Sequence, residues 1–189
     1  MGLRGIRFTI NFTAKLISIG LLCVVMHQVQ ALKVDGLEHL SDITTKSQTR
    51  INTDFLLVKT LDKTKLLHKT YGEFFTYGAA LFSDGSVKFV WYGKPGGGVN
   101  NTNKAIPFIR KVLQAQADSA RIIGSAVVYS MHRENSLRPQ LNVELEYYDG
   151  LAEVFSAEYT VTQDRQINWG RSVRKSNQSL IFHPESNKS

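Results

Sequence analysis

Glu144 and Glu146 are the residues whose spacing most directly suggests chemistry, because in an extended chain two positions separated by one project from the same face. Paired carboxylates can divide the work of acid and base when burial or a neighbour moves their pKa values apart. With His132 as proton carrier they would make the site of a small hydrolase or isomerase. The same residues also fit a plainer pattern. Leu141, Val143, Leu145 and Tyr147 alternate with Asn142, Glu144, Glu146 and Tyr148, which is how a strand reads when one face is packed and the other wet. The wet face is the preferred reading, and it assigns no catalytic residue.

A second candidate is a loop. Lys94 and Pro95 precede Gly96, Gly97 and Gly98, ahead of a helix-forming stretch. Free N–H groups at a helix N-terminus attract anions, so Lys94, Gly96, Gly97 and Gly98 are candidate ligand-binding residues. The stretch lacks the G-x-x-x-x-G-K-[ST] order of a P-loop, and its glycines do not open the helix as G-x-G-x-x-G requires. A plain flexible connector is the competing and preferred reading.

Aromatics are the third candidate. Too many lie on the expected strands for a one-layer core to hide; the preferred reading is that they fill both faces between helices, and in the competing one Trp91, Tyr92 and Tyr148 are candidate ligand-binding residues that help build an exposed surface. His39, His68, His132 and His183 show no metal-ligand spacing, and no G-x-S-x-G elbow occurs, so neither a metal nor a cofactor is expected.

These residues depend on elements that begin after an export signal. Arg4, Arg7 and Lys15 precede an apolar run from Leu16 to Met26, and Val29-Gln30-Ala31 supplies small residues for cleavage after Ala31. The run is short of the roughly 20 residues that span a bilayer, so a retained anchor is the weaker alternative and no stable span is expected after cleavage. Cys23, the one cysteine, leaves with residues 1–31. The chain carries +7, and losing Arg4, Arg7 and Lys15 with no acidic residue leaves +4 on the mature part. Those charges are dispersed, which argues against nucleic acid as partner.

Residues 32–52 read as a polar lead-in, 53–174 as one domain and 175–189 as a polar tail that docks through Leu180, Ile181 and Phe182. Within the domain, 53–71 is a helix, or a strand followed by a short helix. Phe74 to Tyr92 is a hairpin about Ser83-Asp84-Gly85-Ser86, since Asp-Gly between β-favouring runs is a strong turn signal. Ile106, Ile109, Leu113, Ala117 and Ala120 mark one face of a helix capped by Thr102 or Asn103. Ser125 to Met131 and Gln140 to Tyr148 are strands, Asp149-Gly150 turns into a returning strand, and Ile167 to Val173 follows. The class is α+β: a single antiparallel sheet of about five strands with a long amphipathic helix packed on it, in a two-layer arrangement like that of profilins or cystatins.

FFTYGAALFSDGSVKFV, the helix after it, SAVVYSMH and LNVELEYYDGLAEVFSAEY resemble a set of small uncharacterised bacterial proteins. Their pattern is an F-x-x-[FY]-G strand, a D-G turn, a helix and a D-G-x-A-x-x-V hairpin, covering Phe74 to about Val173 here. The resemblance implies the layout and no activity. The expected function is that of an exported, periplasmic or extracellular binding protein without enzymatic activity. Its partner would be a protein or a small molecule.

Overall fold

The computed structural model describes residues 36–93, 101–132 and 138–182, with side chains from residue 46 onward. The expected leader and the loop residues Lys94, Gly96, Gly97 and Gly98 lie outside the described residues. Two compact units divide the chain, Met1–Thr44 and Thr45–Ser189. Of the first, the described part is the helical backbone of residues 36–44. The second unit carries the sheet.

Helix α1, Gly36–Tyr71, begins inside the stretch read as a polar lead-in and runs unbroken through the part where a strand was the alternative. Its apolar residues point both ways, which explains the missing period. Leu56, Leu57 and Leu67 are buried, whereas Ile51, Phe55, Val58 and Leu66 are exposed. Gly72, at φ +83°, ends it by donating its N–H to the His68 carbonyl at 2.8 Å, a left-handed cap that glycine adopts without steric cost.

Strands β1 (Tyr77–Leu81) and β2 (Val87–Trp91) pair as the expected hairpin. Its turn holds Gly85 at φ +81°, while Asp84 Oδ1 accepts from the Ser86 N–H at 2.8 Å. Helix α2, Thr102–Asp118, is capped one residue earlier than expected: Asn101 Oδ1 accepts from the Lys104 N–H at 3.1 Å. Strands β3 (Gly124–His132), β4 (Pro139–Tyr147), β5 (Ala152–Val161) and β6 (Ile167–Ser176) follow.

All pairings are antiparallel, in the order β2-β1-β3-β4-β5-β6. The sheet therefore has six strands where about five were expected; β6 is a polar edge strand and shows little alternation. Apolar cover lies on both faces, where a two-layer arrangement was expected. Tyr77, Ala79, Leu81, Val128, Leu141, Val143 and Leu145 pack with Leu56, Leu57 and Leu67 of α1. On the other face Ala80 and Val127 pack with Ala105, Ile109 and Leu113 of α2, and with Ile181 and Phe182. A Cβ at Gly78 would come within 2.5 Å of Ile109 Cγ2, so glycine sets how closely α2 approaches β1.

Polar fasteners fix α1. The Tyr77 hydroxyl donates to the Thr60 carbonyl at 2.6 Å. Asn52 Nδ2 donates to the Tyr147 hydroxyl at 2.7 Å, and Arg50 and Arg174 both bind Glu153, at 2.8 and 3.0 Å.

Candidate functional site

Glu144 and Glu146 do share a face of β4, but that face is not wet: they are 6% and 3% exposed. Each carboxylate has a dedicated structural partner. Arg110, reaching across from α2, donates from Nη2 to both Glu144 oxygens at 2.7 Å and from Nε at 3.2 Å. The Tyr129 hydroxyl adds a bond at 3.0 Å, and burial together with the Glu144 charge pushes its pKa up to about 12. Glu146 takes the backbone N–H groups of Leu180, Ile181 and Phe182 at 2.9, 2.8 and 3.1 Å, and the Ser179 hydroxyl at 2.7 Å. One carboxylate therefore clamps α2 and the other clamps the C-terminal segment.

His132 does not join them. It stands opposite Pro139, five positions along β4 from Glu144, which is about 17 Å in an extended strand. The aromatic candidates are also apart. Trp91 packs into the α1-side core beside Tyr77, ring centres 5.1 Å apart. Tyr92 is exposed and rests edge-on against Phe108. Tyr148 is exposed beside Tyr147, which pairs with Gly124 at the opposite end of the sheet from Trp91. Trp91 is thus half-buried against the α1-side core, and Tyr92 and Tyr148 do not form one surface.

A polar site appears elsewhere. Helix α2 lies over β1, β2 and β3, and beyond it the outer half of the same face is open. There Gln140, Ser156, Glu158, Arg171, Val173 and Lys175 line a trough of about 360 Å³. That is near the lower end of the volumes of small-molecule sites. Register places Gln140 opposite Glu158, and Asn142 opposite Ser156, which in turn faces Val173. At the row of Glu158 the β5–β6 register slips, so that Gly170 and Arg171 together stand opposite one residue. Such a bulge re-aims a side chain, and here it turns Arg171 into the trough.

The floor is organised before any ligand arrives. Asn142 Oδ1 accepts from Gln140 Nε2 at 2.6 Å and from the Ser156 hydroxyl at 2.7 Å. Asn142 is 3% exposed, yet its Nδ2 has no hydrogen-bond partner among the described residues. Glu158, Arg171 and Lys175 likewise form no ion pair among the described residues. Sequence reasoning missed this group. The available signal was the even-numbered polar series Gln140, Asn142, Glu144 and Glu146, which was read as a solvated face.

Among the described residues no helix is long and apolar enough to cross a membrane, and no group of three or more His, Cys, Asp or Glu is placed to hold a metal ion. No protein-family model matches the chain, and comparison with curated proteins and with solved structures gives no match either.

Proposed function

We propose that the chain is an exported, non-enzymatic binding domain that holds a small molecule in the trough formed by β4, β5 and β6. One observation carries this reading: the trough gathers Glu158, Arg171 and Lys175, charges of both signs with no ion pair among the described residues, around the polar groups of Gln140 and Ser156. Charged side chains that share one concavity without partners of their own suit a ligand of complementary charge. Recognition accordingly moves from the aromatics Trp91, Tyr92 and Tyr148 to the outer strands. Export to the periplasm or the cell exterior rests on Arg4, Arg7 and Lys15 before the apolar run and on the small residues ending at Ala31.

The test is retention. The purified chain is equilibrated with a small-molecule extract of the export compartment, washed and analysed by mass spectrometry beside Lys175→Gln. A compound retained by the natural chain and lost from the variant is the expected result. Equal retention by both, or none by either, refutes the trough as a binding site.

A further inference from the structure

On the sheet face opposite the trough, the outer side of α1 carries an apolar stripe: Ile51, Phe55, Val58 and Leu66 are 58, 39, 54 and 53% exposed. At 3.6 residues per turn these four share one sector of the helix, and Lys69, about five turns from Ile51, continues the line. The inward side of the same stretch is already engaged, through Leu56, Leu57 and Leu67 on the sheet. We infer that the outward face lies along a membrane surface rich in anionic phospholipid, and that a basic cleft at the C-terminal end of α1 takes a lipid phosphate. The contact is peripheral and independent of what the trough holds.

The cleft, about 300 Å³, is lined by Lys65, Leu66, Lys69, Arg165, Gln166 and Ile167, so that cations converge on it and none of these lining residues is acidic. Glu73 and Asp164, close in sequence, are not among them. Lys69 and Arg165 form no ion pair among the described residues. Lys65 has Asp62 at 3.4 Å, with both side chains more than half exposed, a pair worth little in water. The β5–β6 turn delivers Arg165: its N–H donates to the Thr162 carbonyl at 3.0 Å, and its Nη1 comes within 3.5 Å of the Thr70 carbonyl. That contact with the negative end of α1 accounts for Arg165 and Lys69, but not for Lys65 one turn earlier.

Leu66 belongs to both features, so the apolar line runs into the cleft. Lys59, with its ammonium 5.2 Å from the centre of the Phe55 ring, flanks the line farther back. Apolar residues that reach the acyl boundary, with lysines beside them at headgroup level, are what an interfacial helix presents to a bilayer. Charge selects this occupant over a second copy. Two such faces laid together would set Lys59, Lys65 and Lys69 against cations of their own kind, whereas a phosphate layer meets them with opposite sign.

The test sediments the full chain with vesicles of phosphatidylcholine, and of phosphatidylcholine with about one-third phosphatidylglycerol, at low and high salt. Binding to the anionic vesicles should be at least about tenfold tighter than to the neutral ones and should weaken in high salt. Lys65→Gln, Lys69→Gln and Arg165→Gln should each weaken it about fivefold, and Val58→Ser and Leu66→Ser should weaken it as well. Lys175→Gln, an equal change of charge on the trough side, should not. All six positions are exposed, every variant keeps the same N-terminus, and an unchanged circular dichroism spectrum verifies each fold. Equal binding by the natural chain and the cation variants overturns the inference, since attachment would then lie elsewhere. A dimer that Val58→Ser dissolves, without vesicle binding, gives the face to a second copy and overturns it too. So does an NMR response of Lys69 and Arg165 to inorganic phosphate in a chain that leaves vesicles unbound, which would mark a site for a soluble anion.

Discussion

Replacing Glu146 by Gln should detach the C-terminal segment, and the size of the effect follows from the bonds involved. The carboxylate receives one N–H at Oε1, from Leu180, and three donors at Oε2, from Ser179, Ile181 and Phe182. A Gln oxygen can serve the three donors at the Oε2 position. Those bonds then lose their charge assistance, a drop of about 1 kcal/mol each. At the Oε1 position the new NH2 faces the Leu180 N–H, donor against donor, and leaving a buried donor unpaired costs about 1–3 kcal/mol more. The expected loss is about 4–6 kcal/mol, read as a lower denaturant midpoint at unchanged m-value. Hydrogen exchange at Leu180, Ile181 and Phe182 should speed up with it. The control is a chain ending at Asn177, in which Glu146 has nothing left to hold. There the same substitution should cost less than about 1 kcal/mol, as for a change on an open surface. A loss below about 1 kcal/mol in the full chain, or equal losses in the two chains, would refute the clamp.

Other outcomes follow from the same geometry. Arg110→Leu leaves Glu144 buried without its cation and should cost about 3–5 kcal/mol, most of it recovered when Glu144→Leu is added; an unrecovered loss in the double variant by chemical denaturation would contradict this. Gly78→Ala should destabilise by about 1–3 kcal/mol through collision with Ile109, and Ile109→Ala should partly relieve it, as measured in a double-mutant cycle. Burial beside Phe74 and Tyr159 holds the His68 pKa below its ordinary value of about 6.5, so below that pH the unfolded chain binds more protons than the folded one. Stability should therefore fall as the pH drops from about 7 towards 5, and His68→Leu should flatten that fall; an identical slope in the variant speaks against it. Tyr77→Phe should cost about 1 kcal/mol by thermal or chemical unfolding, because the hydroxyl bonded to Thr60 and Thr64 is buried.

Local signals read well where the cause was local. Asp84-Gly85 and Asp149-Gly150 mark hairpins because Gly85 and Gly150 take positive φ, at +81° and +96°. Ile109 and Leu113 announce the buried face of α2 by their spacing alone. The start of α1 escaped because residues 36–52 are polar with only scattered apolar positions, and further along inward Leu56 and outward Phe55 and Val58 blur any single stripe. The two central carboxylates escaped for a different reason. Alternation tells that Glu144 and Glu146 face away from Leu145, but not whether water or protein awaits them, and their partners stand 15 to 36 positions away along the chain. The trough was illegible for the same reason, since it needs Gln140, Ser156 and Arg171 from three strands and a bulge that only the paired sheet reveals.

Strand β6 has a neighbour on one side only, and it carries Arg171, Val173 and Lys175, half of the trough lining. The wall of the cavity is therefore the margin of the sheet, the part whose ladder frays at least cost. A molecule held in the trough would touch both β5 and β6 and act as a rivet across that last seam. Occupancy should then be legible at a distance from the ligand itself, as slowed amide exchange along the whole of β6.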